Sequence, residues 1–343
     1  MTARPFPILF ITSTRIGDAV LSSGLLKRLH DEIPRARFTI AAGALAAPLF
    51  RDTPNLDELI ALEKKPGSLH WVDLWKRVRG KRWGLILDLR GSGLSNTLSA
   101  KMRLVRKSPE ADEPVVHKVQ ELARLLKQEE DPPAPYLFVS PETQAEADRR
   151  LGVGGPILAV APAANWVGKT WPAERFSITV QRLLGRDGPM PDGRLLLLGG
   201  PEDKRAAEAV RRELPRRRVI DVTGEVDLLV AYAMLKRARL FIGNDSGLMH
   251  MAAASGAPTL GLFGPSNEAV YGPWGPCARA LRGPRPFEAF KAVDPHLNQS
   301  LPHMSDLSVE RVLNAATKLL AETGEFDEAP ERPLAHPEQA AVG

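Results

Sequence analysis

The stretch FIGNDSGLMHMAAASG, residues 241–256, joins an apolar strand through a polar turn to a helix of small residues. The turn, Asn244-Asp245-Ser246-Gly247, leaves backbone N–H groups unpaired at the start of the helix, where the macrodipole is positive and a phosphate can bind. His250 on the first helical turn can donate to the same anion. Asp and Ser also cap many ordinary helices. This stretch alone therefore leaves a phosphate site and a plain capped helix both open.

The same alternation of strand and helix runs along the rest of the chain and indicates parallel sheets. In the first half we predict strands at 7–12, 37–42 and 83–89 and helices at 19–32 and 116–127. In the second half we predict strands at 156–161, 194–198, 218–222, 240–242 and 259–263 and helices at 173–184, 202–214, 227–236, 247–255 and 309–321. This alternation predicts one doubly wound α/β sheet in each half. Ligands of such sheets bind beyond the carboxyl ends of the strands.

Five polar or glycine-rich loops follow strands of the second half and should meet at that edge. They are 164–170, 199–200, 223–225, 244–247 and 264–267. The length of 343 residues also suits two domains. The charged, proline-rich stretch QEEDPPAP at 128–135 precedes the predicted boundary. We therefore predict an N-terminal domain at 1–150, a C-terminal domain at 151–323 and a disordered acidic tail at 324–343.

Composition limits the class of protein. Cys277 is the only cysteine, so no intramolecular disulfide can form, and no His/Cys cluster has the spacing of zinc ligands. No apolar run approaches the roughly 20 residues that span a bilayer, and the N-terminus does not resemble a signal peptide. We expect a soluble or peripheral protein in a reducing compartment, without a metal or cofactor.

Positive charge is concentrated in one part of the chain. The net charge is +5, yet residues 60–107 contain twelve Lys or Arg against three acids, a local charge of +9. This block indicates an anionic partner, although a solvated face gives the same pattern. Only 6% of residues are aromatic and no RNA-recognition pattern accompanies the block. A nucleic-acid partner is therefore not expected.

Two further segments near the predicted edges have alternative interpretations. AANWVGKT at 163–170 approaches the P-loop pattern, but Ala163 replaces the first glycine and Trp171-Pro172 would interrupt the P-loop helix. Lys169 is then either a surface lysine or a point charge within reach of a diphosphate. Asp18, after the first strand, is either a helix cap or a carboxylate that faces the other domain. GxGxxG, GxSxG and Asp-x-Asp patterns are absent.

Together these segments resemble glycosyltransferase family 9, the bacterial ADP-heptose:lipopolysaccharide heptosyltransferases. The resemblance covers roughly residues 7–321 and is most specific in GNDSGLMH at 243–250 followed by PTLGLFGP at 258–265. IGDAV at 16–20, KTWP at 169–172 and GGPE at 199–202 add to it. It implies the GT-B fold, two Rossmann-like doubly wound domains that face a cleft. The donor nucleotide then binds the C-terminal domain and the acceptor the N-terminal one.

The resemblance also implies roles in an inverting, metal-independent transfer. Asp18 would be the general base, and Arg15 would contact the acceptor. Lys169, His250 and the backbone N–H groups of Ser246, Gly247 and Leu248 would stabilise the departing ADP. Asp245 would order the donor turn or contact the sugar. Glu202 matches the region that contacts the ribose, and Val226 the region that lines adenine.

The implied partners are an ADP-heptose-like nucleotide sugar and an anionic glycolipid, the inner core of lipopolysaccharide. The basic block would dock this acceptor and the inner face of the cytoplasmic membrane of a Gram-negative-type bacterium. Two alternatives stay open: a GT-B transferase or epimerase that uses another nucleotide sugar, and a basic binding module with a vestigial nucleotide site. The irregular stretch 282–304 has no assigned role.

Overall fold

A computed structural model describes residues 4–107, 113–212, 214–297 and 299–324. The predicted acidic tail lies outside the described residues, except for Gly324. Within these ranges, every helix is too short or too polar to cross a membrane. All strand pairs are parallel and form two sheets.

The first sheet has five strands in the order β3-β2-β1-β4-β5. Its strands are β1 (Phe6–Ile11), β2 (Ala36–Gly43), β3 (Leu56–Leu62), β4 (Trp83–Asp88) and β5 (Ala100–Val105). The helices of this half are α1 (Ile16–Glu32), α2 (Leu69–Val78), α3 (Lys118–Ala123) and α4 (Pro141–Leu151). The central strands β1 and β4 are buried almost throughout, as expected for strands covered on both faces.

The second sheet has six strands in the order β11-β10-β9-β6-β7-β8. Its strands are β6 (Ile157–Ala161), β7 (Arg194–Leu197), β8 (Val219–Asp221), β9 (Ala238–Asn244), β10 (Thr259–Phe263) and β11 (Ala278–Arg282). Its helices are α5 (Ala173–Leu184), α6 (Lys204–Arg211), α7 (Leu228–Leu235), α8 (Gly247–Ala254), α9 (Glu268–Tyr271), α10 (Phe287–Val293) and α11 (Val309–Glu322). The predicted pair of doubly wound sheets is confirmed.

The strands that the sequence did not predict are edge strands. β3 and β5 form the two edges of the first sheet, and β11 is an edge of the second. Their sequences, LDELIAL, AKMRLV and ARALR, carry charges within the strand, and each has exposed positions. An edge strand has one partner only and tolerates charge, so it lacks a continuous apolar run. The helix predicted at 116–127 is also shorter, because it tightens into a 3₁₀ turn at Arg124–Leu126.

The two halves pack firmly against each other. One cluster of buried hydrophobic residues contains side chains from both sheets and from α1, α4, α7 and α8. Arg51 of the first half pairs with Asp227 of the second at 2.8 Å. The hydroxyl of Tyr232 accepts from the backbone N–H of Leu137 and donates to the carbonyl of Ala254 at 3.1 Å. α4 packs on α7 of the second half. The boundary at 150 stays a prediction.

Candidate active site

The turn after β9 is fixed by its first residue. The buried side chain of Asn244 accepts from the backbone N–H of Trp171 at 2.9 Å and donates to the carbonyl of Pro162 at 2.9 Å. These two bonds tie the end of β9 to both sides of the loop after β6. The loop that carries Lys169 and the turn that carries Asp245 are therefore held next to each other.

Lys169 and Asp245 form an ion pair at this edge. Nζ of Lys169 donates to Oδ2 of Asp245 at 2.6 Å, and the two side chains are 29% and 8% exposed. Lys169 ends a single 3₁₀ turn, Val167–Lys169, after which α5 begins at Ala173. It is thus neither a P-loop lysine nor a plain surface lysine. Its remaining two N–H groups are available to a ligand at the open side of the pair.

The N-terminus of α8 has no side-chain cap. Ser246 is the N-cap residue in an extended conformation, but neither its hydroxyl nor the Asp245 carboxylate accepts from the first turn. The capped-helix interpretation is therefore wrong for this turn. Within the described part of the chain, Oγ of Ser246 and Nδ1 of His250 are buried and make no hydrogen bond. Buried polar atoms are normally satisfied, so this cluster has the character of a binding site for a polar group.

His250 is a neutral imidazole. Burial lowers its pKa to about 4, and the carboxylate of Asp245, whose Oδ1 lies 4.0 Å from Nε2, opposes the shift without cancelling it. Desolvation dominates because the ring is closed between two helices and has lost the water that would stabilise its cation. His250 can therefore offer a hydrogen bond to an anion, but not a charge.

The first turns of α1 and α8 interlock through two glycines. A Cβ added at Gly17 would lie 2.9 Å from Cδ2 of His250, and one added at Gly247 would lie 2.6 Å from Cγ2 of Ile16. Any larger residue at either position would force the helices apart. The start of α1 in the first half thus lies directly against the start of α8 in the second, and Asp18 follows Gly17 in that first turn.

Asp18 faces the second half of the molecule. It is half-buried in the first turn of α1, whose N-cap is Arg15, so the interpretation of Asp18 as the cap is wrong. Among the described residues its carboxylate makes no hydrogen bond and no ion pair. Burial raises the pKa of Tyr271, and the charge of Asp18 adds to that increase. A carboxylate without partners at a domain interface has the character of a proton acceptor.

A second contact between the two halves involves His117. Nε2 of His117, the N-cap of α3, donates to the carbonyl of Gly272 at 2.9 Å, and its ring packs on Trp274 with centroids 4.6 Å apart. Burial lowers the pKa of His117. Neither these residues nor Tyr271 were predicted from the sequence, because the contact joins segments 155 positions apart. The aromatic and Gly/Pro-rich run YGPWGP at 271–276 was the one local signal.

The remaining predicted residues lie partly beside this cluster and partly further along the same edge. Arg15 is exposed beside Asp18. Glu202 is exposed in the loop after β7, and Val226 is half-buried in the loop after β8. These two loops are joined because the N–H of Gly224 donates to the carbonyl of Gly199 at 2.9 Å. Leu248 is half-buried and packs on the core. Glu202 and Val226 thus form a neighbouring part of the edge, not the cluster around His250.

The structure divides the basic block. Lys64, Arg90 and Lys107 follow β3, β4 and β5 and lie at the carboxyl-end edge, whereas Arg79, Lys81 and Arg82 precede β4 at the opposite edge. Some members are paired with acids: Lys65 with Asp73, Arg77 with Glu58 and Arg106 with Glu121. In the described ranges, no group of three or more His, Cys, Asp or Glu could hold a metal ion.

The low pKa of His250 predicts a pH-dependent stability. The unfolded chain takes up a proton near pH 6.5 and the folded protein only near pH 4, so stability present above pH 6.5 is lost as the pH falls towards 4. Between about pH 7 and pH 4, urea unfolding of the unmodified protein should lose roughly 3 kcal/mol more free energy than His250→Gln. Equal losses in the two proteins would show that His250 is not buried as a neutral ring.

Comparison with known proteins identifies the family. The profile of glycosyltransferase family 9 (heptosyltransferase) matches residues 71–298. Lipopolysaccharide heptosyltransferase 2 of Salmonella typhimurium is 25% identical, with 92% of this chain and 99% of that protein covered. Two solved structures share the fold: a family 9 glycosyl transferase from Veillonella parvula and E. coli ADP-heptose LPS heptosyltransferase II.

The structural matches extend over nearly the whole chain. The Veillonella protein superposes with a TM-score of 0.77 at 24% identity, covering 94% of this chain and 99% of that one. The E. coli protein gives 0.72 at 22% identity, covering 92% and 99%. The predicted GT-B fold, two Rossmann-like domains that face a cleft, is confirmed. This chain belongs to glycosyltransferase family 9 and is a glycosyltransferase, as its sequence motifs predicted.

Proposed function

We propose that this protein transfers heptose from ADP-heptose to the inner core of lipopolysaccharide, with inversion at the anomeric carbon and without a metal ion. The family and the names of its relatives support the substrate class. The observation that carries the proposal is the interlock of α1 and α8. It brings the carboxylate of Asp18, which has no partner among the described residues, to a helix start with unsatisfied polar atoms.

The donor diphosphate would bind at the start of α8. The backbone N–H groups of Ser246, Gly247 and Leu248 point out of the first turn, where the macrodipole favours an anion. The hydroxyl of Ser246 and the ring of His250 supply two further polar atoms that lack partners. Lys169 would share its N–H groups between Asp245 and the β-phosphate. Asp245 thereby holds the lysine in place, and its own charge is offset by the ion pair.

The chemical step would be a single displacement. Asp18 takes the proton of the acceptor hydroxyl while that oxygen forms a bond to the anomeric carbon of the heptose. The bond from this carbon to the diphosphate oxygen breaks, and ADP leaves with the electron pair. Attack from the side opposite the leaving group inverts the configuration. Lys169 and the helix N-terminus stabilise the charge that develops on the β-phosphate, which is the largest electrostatic demand of the step.

The adenosine half of the donor would lie further along the same edge. We assign the ribose to Glu202, whose carboxylate is exposed in the loop after β7 and can accept from sugar hydroxyls. We assign the adenine to Val226, a half-buried apolar side chain on the adjoining loop. The bond between Gly224 and Gly199 holds the two loops together. These assignments match the chemistry of a nucleoside, because the apolar Val226 suits the base and the carboxylate of Glu202 suits the ribose hydroxyls.

The acceptor would approach from the first half of the molecule. Arg15 lies beside Asp18, and Lys64, Arg90 and Lys107 lie along the same edge, where they can attract the acidic groups of the inner core. A lipid-anchored acceptor also places this edge near the inner face of the cytoplasmic membrane. We therefore propose a cytoplasmic protein in peripheral contact with that membrane.

Two alternatives make different demands on the site. Another nucleotide-sugar transferase or epimerase would use the same α8 turn with a base other than adenine. A basic binding module with a vestigial nucleotide site would need neither Asp18 nor the interlock that positions it. Neither alternative is favoured by the family, whose named members are heptosyltransferases.

Nucleotide binding tests the donor site. In EDTA, calorimetric titration should show binding of ADP in preference to UDP and GDP. Lys169→Ala should weaken ADP binding by roughly 10- to 100-fold, because a charge-assisted hydrogen bond contributes about 1.5–3 kcal/mol. Lys236→Ala is the control: this exposed lysine lies just after α7, before β9 begins. Preference for UDP would replace the donor, and no nucleotide binding would overturn the enzyme proposal.

Vesicle binding tests the acceptor edge. Replacement of Lys64, Arg90 and Lys107 by Ser should weaken binding to phosphatidylglycerol-containing vesicles by roughly 100-fold, at about 1 kcal/mol for each charge. Replacement of Arg79, Lys81 and Arg82 by Ser removes the same charge from the opposite edge and should have a smaller effect. Equal effects would mean that net charge alone drives binding, which contradicts a defined docking edge.

A further inference from the structure

The segment at residues 283–307 leads from β11 to α11, and it contains a buried acid–base pair. The side chains of Asp294 and His303 are 1% and 3% exposed, with Oδ2 of the acid 3.7 Å from Nε2 of the imidazole. Burying two ionisable groups is costly unless they satisfy each other and their neighbours. The pair lies outside the cluster around Asp18 and His250, so the proposed chemistry does not account for it.

The pair is linked to the donor loop through Trp166. Oδ2 of Asp294 accepts from the backbone N–H of Gln299 at 2.9 Å, and the carbonyl of Gln299 accepts from Nε1 of Trp166 at 3.0 Å. The ring of His303 meets the rings of Trp166 and Phe290 edge to face, with centroids 5.7 Å and 5.5 Å apart. The indole is therefore held both by a hydrogen bond at its nitrogen and by packing on its ring.

Trp166 in turn fixes the short turn that carries Lys169. Its carbonyl accepts from the N–H of Lys169 at 3.0 Å and from the hydroxyl of Thr170 at 3.1 Å. Its ring lies over Gly168, where an added Cβ would be 2.5 Å from Cζ2. A single 3₁₀ turn has too few internal hydrogen bonds to hold its shape alone. The conformation of this turn thus depends on Trp166 and on the segment beneath it.

We propose that Asp294 and His303 are positioning residues for Lys169, acting through Trp166. The inference rests on the proposed function, in which Lys169 contacts the donor diphosphate. A lysine side chain carries about 2 kcal/mol of rotamer entropy. Its contribution to binding therefore depends on a backbone that already directs it to Asp245 and the phosphate. The segment at 283–307 supplies that rigidity, which gives a role to a stretch without a recognisable sequence motif.

A double-mutant cycle with ADP as the probe tests this coupling. Asp294→Asn keeps the shape of the acid and removes its charge, and Trp166→Phe keeps a ring and removes the donor to Gln299. In the unmodified protein, each substitution should weaken ADP binding about tenfold. In the Lys169→Ala background, each should weaken it less than about twofold, because the lysine that the substitution acts through is absent. A difference of this size lies within the roughly 0.5–3 kcal/mol by which coupled residues interact. Glu288→Gln, an exposed residue of α10 in the same segment, is the control and should change nothing.

Kinetics separate positioning from general damage to the fold. Both variants should raise KM for the nucleotide sugar and leave KM for the acceptor unchanged, because the first half of the molecule is untouched. Should Asp294→Asn fail to fold, Trp166→Phe carries the test alone. Equal weakening of ADP binding with and without Lys169 would overturn the inference while leaving the proposed function intact. An unmodified protein that binds no ADP would overturn the proposed function and the inference together.

Discussion

The contact between the first turns of α1 and α8 is the constraint on which the site depends. Gly17 and Gly247 leave just enough room for Ile16 and His250 to pack across the two halves of the molecule. This contact explains why a carboxylate from one sheet and a helix N-terminus from the other occupy the same place. It also closes His250 off from water, which lowers the pKa of its imidazole. A side chain in place of either glycine would separate the groups that the proposed reaction needs together.

The charges around this contact are arranged in two ways. Lys169 and Asp245 neutralise each other, whereas Asp18 makes no hydrogen bond or ion pair within the described ranges. A paired lysine keeps a fixed position and can still donate to a phosphate, while an unpaired carboxylate can accept a proton. This arrangement suits a displacement in which Lys169 stabilises the negative charge of the leaving group and Asp18 accepts the proton of the attacking hydroxyl. The same arrangement would add little to a protein that only binds an anionic surface.

The sequence predicted the buried parts of this molecule better than its edges. Apolar runs such as WGLILD in β4 indicated the central strands, whereas β3, β5 and β11 carry charges and were not predicted. The motif around Asp245 indicated the α8 turn, because its chemistry is local. The hydrogen bonds from His117 to Gly272 and from Trp166 to Gln299 join distant segments. They therefore have no local sequence pattern that could predict them. The family and the GT-B fold were confirmed, while the roles of individual site residues stay predictions.

Heptose transfer by the unmodified protein and by Asp18→Asn tests the central claim most directly. The reaction would contain ADP-heptose, purified inner-core acceptor and EDTA, and NMR of the product would give the configuration of the new linkage. We predict an inverted linkage from the unmodified protein and a rate reduced by roughly 10²- to 10⁴-fold in Asp18→Asn, with ADP affinity unchanged. A retained configuration, or an Asp18→Asn protein that transfers heptose at the unmodified rate, would contradict the account.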